Sequence, residues 1–160
     1  MGSIVDKNQL ANICQEARSK GLTVVTTNGC FDILHVGHVR ILKEARALGD
    51  LLVIGLNSDA SVKRLKGPDR PLNKDEDRAE ILASLACVDY VFIFEEQTPI
   101  EFLKIARPNI HVKGSDYKPS DLAETPLVES WGGRVEIIAL VPGKSTTSLV
   151  QKICKGSRPE

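Results

Sequence analysis

The sequence predicts an α/β protein: a Rossmann-like, doubly wound, five-stranded parallel sheet with helices on both faces. Three observations carry this. Short β-branched and apolar runs alternate along the chain with segments of helical apolar spacing. Glycines and cap residues fall between the two kinds of segment, where the chain must turn. No repeat, low-complexity tract or long Pro/Gly/Ser linker interrupts the alternation. Strand–helix–strand units of this kind close as right-handed crossovers, which makes the sheet parallel and covers both of its faces.

Taken in order, residues 6–20 put Leu10, Ile13, Cys14 and Ala17 on one helical stripe, and Gly21 closes the segment. Residues 22–27 form the first strand. A helix over 36–48 follows, with Val39, Leu42 and Ala45 aligned and Gly49 as its stop. The second strand covers 51–57. A helix over 73–86 opens on Asn73 and Glu76, a capping-box spacing. The third strand spans 90–94. Thr98, Pro99 and Glu101 then read as cap, first turn and capping partner of another helix. Strands over 109–113 and 134–140 flank a helix around 120–131, and the last helix starts near Ser145. Residues 1–160 are expected to be one domain, with its core over about 22–153 and an N-terminal helix over 6–20. Residues 1–3 and 156–160 are read as frayed ends.

Composition narrows the function classes. The 160 residues carry 21 Lys and Arg against 21 Asp and Glu, a net charge of zero. That balance argues against a nucleic-acid binder that works by bulk electrostatics. No apolar run has the length of a membrane span, and the N-terminal stretch lacks the pattern of a secretion signal, so a cytoplasmic protein is expected. Cys14, Cys30, Cys87 and Cys154 show no paired spacing and are expected to be free thiols.

In a doubly wound sheet, ligands bind beyond the carboxyl ends of the strands, where strand order reverses. The chemistry-bearing residues should therefore follow the strands. After the first strand comes Asn28-Gly29-Cys30-Phe31-Asp32, then His35-Val36-Gly37-His38 at a helix start. This is no dinucleotide fingerprint, because the glycine spacing is wrong. Gly143-Lys144-Ser145-Thr146 imitates the end of a P-loop, but Ile138 stands where the first glycine must be. Two histidines three apart on a first helical turn, with Gly37 between them, suit a phosphate: the helix offers free N–H groups and imidazoles donate to phosphate oxygens. Two other readings remain open. One is a pair of purely structural histidines, and the other is a metal site built from Asp32, His35 and His38.

The loop after the second strand concentrates Lys63, Arg64, Lys66 and Arg70 within eight positions. It reads as a mobile phosphate-binding loop, with Lys66 as first contact and Arg70 as second. After the fourth strand, Lys113-Gly114-Ser115-Asp116-Tyr117 offers Gly114 for close backbone approach, Asp116 for hydroxyls or a base, and Tyr117 for stacking or packing. Ser145, Thr146 and Thr147 open the last helix, where they serve as caps or as phosphate donors. His111 reads as a core or edge residue.

The string TNGCFDILHVGHVRILKEARALGD, with RLKGPDRPLN, VKGSDYKP and GKSTTSLV, resembles the HxGH nucleotidyltransferases of the cytidylyltransferase-like branch. Within it, the chain looks most like the adenylyltransferase domain of bacterial heptose-phosphate kinase/adenylyltransferases. The resemblance implies transfer of AMP from ATP to D-glycero-β-D-manno-heptose 1-phosphate, with release of pyrophosphate and with Mg²⁺ as the cofactor. It assigns His35 and His38 to the triphosphate and the transition state, with Lys66 as a third catalytic group. Thr27, Asn28, Gly29, Phe31 and Gly37 line the same loop. Arg78 is placed at the phosphates or as an anchor for the loop, Lys113, Gly114 and Asp116 on the nucleoside side, and Ser145, Thr146 and Thr147 on the phosphates. Asp32 is left between loop organiser, metal neighbour and turn residue, and Cys30 is read as packing. Two departures from the family pattern are Lys144 in place of Ile and Val150 in place of an Arg, which leaves the cation for the leaving phosphates unassigned. The implied partners are ATP and a sugar 1-phosphate, with no nucleic acid and no membrane, and a homodimer is implied. The kinase step is expected from another chain. The alternatives are a glycerol-3-phosphate cytidylyltransferase using CTP and a non-catalytic nucleotide-binding regulator.

Overall fold

A computed structural model describes residues 1–139, 143 and 146–156. Its strands are β1 (Ser3–Ile4), β2 (Val24–Gly29), β3 (Leu51–Asn57), β4 (Tyr90–Phe94), β5 (Ile110–Gly114) and β6 (Arg134–Ile138). The helices are α1 (Lys7–Ser19), α2 (Val36–Ala47), α3 (Asp59–Lys66), α4 (Asp75–Ala83), α5 (Ile100–Ala106), α6 (Thr125–Glu129) and α7 (Thr146–Gly156), with a 3₁₀ turn at Pro119–Asp121. The strands form one sheet in the order β1-β4-β3-β2-β5-β6, and every pairing is parallel. From β2 the chain winds outward through β3 and β4, then crosses back to add β5 and β6. The reversal falls between β2 and β5, which is the doubly wound arrangement.

Strand alternation sorts the core into two layers. Val25, Leu52, Ile54, Leu56, Val91, Ile110 and Val112 face α2 and α4, against Leu42, Ala45, Ala79 and Leu82. Val24, Val53 and Phe94 face the other way, against Leu10, Cys14 and Ala17 of α1 and Phe102, Leu103 and Ala106 of α5. Both faces are therefore dry, which is why the strands read as continuous apolar runs. The predicted stripe of α1 is buried as expected, and Asp6 with Gln9 forms a reciprocal capping box at its start. All four cysteines are free.

Four expectations differ from the structure. The sheet has six strands, because Ser3–Ile4 pairs with Tyr90 and Val91 and the Gly2 N–H reaches the Ala83 carbonyl at 2.8 Å; the N-terminus is tied down rather than frayed. The cationic stretch after β3 is helical over Asp59–Lys66, not a loop. Ser58 caps it by accepting from Ser61 N–H at 3.2 Å, and Lys63, Arg64 and Lys66 occupy its last turn, where cations complement the helix dipole. Asn73 is not a helix cap: Lys74 holds that position, and the Asn73 side chain donates to the Asp32 carbonyl. Thr98 is not a cap either, since α5 begins one residue later than read, with Pro99 at its cap and no side-chain capping bond.

Gly55 marks a close approach in the second layer. A Cβ there would sit 2.7 Å from two ring atoms of Phe102, which stacks against Phe92 and Phe94. Gly55→Ala should therefore destabilise the fold by about 1–3 kcal/mol through overpacking. Urea unfolding followed by circular dichroism reads this as a lower midpoint with unchanged slope.

Candidate active site

The residues singled out by their position after the strands converge on one open cavity of about 550 Å³. Its wall includes Thr27, Asn28, Gly29, Phe31, His38, Lys66, Arg70, Lys113, Gly114, Asp116, Thr146 and Thr147. Three expected residues are not on it: His35, Gly37 and Arg78. Ser145 and Lys144 lie outside the described residues.

The HVGH segment opens α2, and the two imidazoles are held by backbone donors. His35 Nδ1 accepts from Gly37 N–H at 3.1 Å, and His38 Nδ1 accepts from His35 N–H at 3.4 Å. The rings stack at 3.9 Å between centroids, and Phe31 lies tilted against His38 at 5.2 Å. An Nδ1 that accepts from a backbone N–H carries no proton, so each neutral ring bears its proton on Nε2. Burial, and next the neighbouring His35, push His38 down from 6.5 to about 4. At neutral pH this ring is an uncharged N–H donor. Across the cavity mouth, α7 begins at Thr146, whose hydroxyl donates to the Ile33 carbonyl at 3.2 Å. That bond ties the start of α7 to the loop leading into α2, so two helix N-termini border one space.

Asp32 and Arg78 build the frame around this space. Asp32 is buried and accepts from Arg70 Nη1 at 2.6 Å, from Leu72 N–H at 2.7 Å and from Asn73 N–H at 3.1 Å. Its carboxylate is consumed by the segment after α3, which favours the loop-organiser reading and not the metal one. Arg78 is 1% exposed. Its guanidinium donates to the carbonyls of Cys30, Asn57 (2.9 Å) and Asn73 (3.0 Å) and pairs with Asp59 at 2.8 Å. All of those donors point into the framework, so the anchor reading of Arg78 is the one its geometry supports. Asp59 belongs to the same frame. Burial pushes the Cys30 thiol up, against the pull of Lys66, Arg78 and Arg70, which fits packing and not a nucleophile.

Sequence reasoning missed several wall residues: Asn57, Gln97, Thr98, Pro99 and Glu124. The first four end or follow β3 and β4, so the rule of carboxyl-end ligands had pointed to their neighbourhood. Glu124 had no local signal. It is 4% exposed, and its Oε1 lies 3.0 Å from Lys113 Nζ and 3.8 Å from His111 Nε2. Lys113 in turn donates to Asn28 Oδ1 at 2.9 Å and lies 5.1 Å from the centre of the Tyr117 ring. His111, read as a core or edge residue, is fully buried in β5 and bonds Thr26 Oγ1 through Nδ1 at 2.8 Å. Among the described residues no group of three or more His, Cys, Asp and Glu is arranged to hold a metal. The donor set therefore fits a cation that arrives on its phosphates and keeps most of its waters, not one caged by the protein.

With the cavity, the two helix starts and the switch point placed, known proteins can be compared. The sequence model of the cytidylyltransferase-like family matches residues 26–153. The chain belongs to the cytidylyltransferase-like family. It is 56% identical over 147 residues to the bifunctional protein HldE of Syntrophotalea carbinolica, covering 92% of this chain and 30% of that protein. Against the bifunctional protein HldE of Geotalea uraniireducens the identity is 52% over 157 residues, covering 98% of this chain and 32% of the relative. The chain thus spans about a third of the length of the curated relatives it matches. Among solved structures, a lipopolysaccharide core biosynthesis protein from Thermoplasma volcanium superposes with a TM-score of 0.63 at 28% identity, covering 76% of this chain and 98% of that one. A pantoate–β-alanine ligase from Francisella tularensis shares the fold alone, at 17% identity and a TM-score of 0.66 over 95% of this chain and 73% of its own. The Rossmann-like α/β class and the nucleotidyltransferase family read from HVGH and VKGSDYKP are both borne out.

Two outcomes test this framework. Arg78→Met leaves three loop carbonyls and Asp59 without their shared partner, and should cost about 3–5 kcal/mol, read by chemical denaturation. The second concerns acid. His38 and His111 have folded-state values lowered from 6.5 to about 4 and about 3, the latter by burial and then by the Lys113 charge. Below pH 6.5 the unfolded chain binds the extra protons, so stability is complete above 6.5 and declines as pH falls toward 4. Denaturation midpoints should drop between pH 6.5 and 5, above the carboxylate range, and His111→Asn should flatten part of that slope.

Proposed function

We propose that the protein is an adenylyltransferase that transfers AMP from ATP to D-glycero-β-D-manno-heptose 1-phosphate, giving ADP-heptose and pyrophosphate. The observation that carries this reading is the convergence of a neutral His38 Nε2–H donor, the α2 and α7 helix starts, Lys66 and Arg70 on one cavity. The bifunctional HldE relatives, at more than 50% identity over nearly the whole chain, support the heptose substrate. They do not favour the CTP-dependent alternative.

In this reaction an anionic phosphate oxygen of the sugar attacks the α-phosphorus, a bond to the bridging oxygen breaks, and pyrophosphate leaves. The nucleophile is already ionised, so no strong base is needed. The work is to bring two anions together and to meet the charge that grows on the α-phosphate and the leaving group. His38 donates from Nε2 to that charge, with His35 stacked against it and fixing its tautomer through the backbone bond. Thr147 offers its hydroxyl at the α7 start, whereas the hydroxyl proton of Thr146 goes to the Ile33 carbonyl, and Ser145 is assigned beside them by resemblance. Lys66 and Arg70 supply the cations from the α3 side. Thr27, Gly29 and Phe31 shape the backbone against the phosphates, Gly37 N–H holds His35 behind them, and Gly114 and Asp116 take the nucleoside side. Mg²⁺ carried on the triphosphate neutralises part of its charge. The resemblance further implies a homodimer in the cytoplasm; no described helix is long and apolar enough to cross a membrane.

Incubation with ATP, Mg²⁺ and the heptose 1-phosphate should release pyrophosphate, with CTP a much poorer donor. Absence of release, while a different nucleotide–acceptor pair reacts, sinks the assignment. His38→Ala should cut turnover by about 10²-fold or more, as loss of one charge-stabilising donor does elsewhere, without loss of the folded state. Turnover within a few fold of the unmodified protein would remove His38 from the phosphate role.

A further inference from the structure

The backbone ladder between β2 and β5 ends at Thr27 and Val112, although β2 runs on to Gly29 and β5 to Gly114. Beyond the last pair the strands part, and the cavity lies in the gap. At the last two pairs of the ladder side chains reinforce it: Thr26 Oγ1 meets His111 Nδ1 at 2.8 Å and Thr27 Oγ1 donates to the Val112 carbonyl at 3.0 Å. Beyond it a side-chain bond takes over, with Lys113 Nζ donating to Asn28 Oδ1 at 2.9 Å. Glu124 enters from the segment between the 3₁₀ turn and α6, with Oε1 3.0 Å from Lys113 Nζ and 3.8 Å from His111 Nε2. Among the described residues neither Glu124 Oε1 nor His111 Nε2, both buried, has a hydrogen-bond partner. The oxygen lies between the Lys113 ammonium and the His111 ring and is aligned with neither.

A buried carboxylate in the wall of a polyanion site is costly and repels the ligand, so its presence requires a compensating task. The task is visible in what Lys113 does. Its ammonium is directed to Asn28, Glu124 and the Tyr117 ring. A lysine has only donors, so it forces Asn28 to turn Oδ1 toward it and leaves the Nδ2 amide hydrogens for the cavity. Asn28 is on the cavity wall, and among the described residues its Nδ2 has no partner.

We propose that Glu124 is a positioning residue: it holds Lys113 in place, and Lys113 locks the Asn28 amide with its NH₂ facing the phosphate oxygens of the bound nucleotide. Lys113 is thereby a structural cation of the wall and not one of the cations that meet the phosphates. The inference rests on the nucleotide site proposed above, but not on the identity of the sugar acceptor.

The test is a double-mutant cycle on MgATP affinity, measured by calorimetry, with thermal unfolding of each variant alongside. Asn28→Asp keeps the size of the side chain and improves its attraction to Lys113, yet presents oxygen where the NH₂ stood; MgATP binding should weaken tenfold or more while the unfolding midpoint holds or rises. Glu124→Gln should weaken binding about fivefold. Because Glu124 acts through Asn28, the double variant should bind no more weakly than Asn28→Asp alone. Asn28→Asp binding within threefold of the unmodified protein overturns the proposal, and so does a double variant whose losses simply multiply. Pyrophosphate release from the heptose phosphate is run in parallel. A protein that binds MgATP but does not turn over that acceptor fails the substrate assignment alone, and the affinity cycle still decides the role of Glu124.

Discussion

The site depends first on a charge that never touches solvent. Arg78 lies on α4, and its guanidinium joins the loop after β2 at the Cys30 carbonyl, the end of β3 at the Asn57 carbonyl, and the segment before α4 at the Asn73 carbonyl. Burying an arginine is expensive, and the expense is offset by its partners. Three carbonyls and the Asp59 carboxylate take four of its five N–H groups. Asp32 works in the reverse sense, accepting from Arg70 and from two backbone N–H groups of residues 72 and 73. The two residues tie the loop after β2 to the segment before α4 from opposite charges. The donor role proposed for His38 is effective only if the ring need not reorganise as charge develops, and this clamp supplies the rigidity.

The overall charge of zero conceals how the sign is distributed around the cavity. The last turn of α3 and the segment behind it bring Lys66 and Arg70 to one side, and α2 and α7 point their positive ends inward. The acids at the same cavity are mostly neutralised in place: Asp32 by Arg70, and Glu124 by Lys113. Formal charges near an anion site are therefore poor guides to which of them a phosphate meets. Arg70 and Lys113 are both cavity cations with carboxylate partners, whereas the exposed Lys66 has no ion pair among the described residues.

Much of this was legible in the residues, and the exceptions have a common physical origin. Leu10, Cys14 and Ala17 announce α1 because a packed helix face imposes its period on the sequence. HVGH and the Ser/Thr run announce the two helix starts because chemistry and capping need those residue types at those spacings. What went unread depends on contacts across the fold. Asp59–Lys66 is polar and short, so nothing in its period separates a helix from a solvated loop; only the Ser58 cap distinguishes it. Asn73 carries a good capping pattern, but Asp32, 41 residues away, takes its side chain instead. Glu124 looks like any surface acid until α6 carries it beneath the end of β5. Ser3–Ile4 needed the neighbouring edge of β4 to become a strand.

The neutrality of His38 also bears on how the proposed reaction is helped. A permanently charged imidazolium would hold the ground-state triphosphate tightly, and binding that is equal in ground and transition states does not speed the chemical step. A neutral N–H donor gains most where charge accumulates, on the α-phosphate as the new bond forms and on the departing pyrophosphate. Stacked against His35 and tilted against Phe31, the ring is buried enough for its value to fall to about 4, so the donor form is the one present at neutral pH. The cationic share of the work then falls to Lys66 and Arg70. The proposed division is then that His38 is held uncharged beside the growing charge, and the cations stand at the rim.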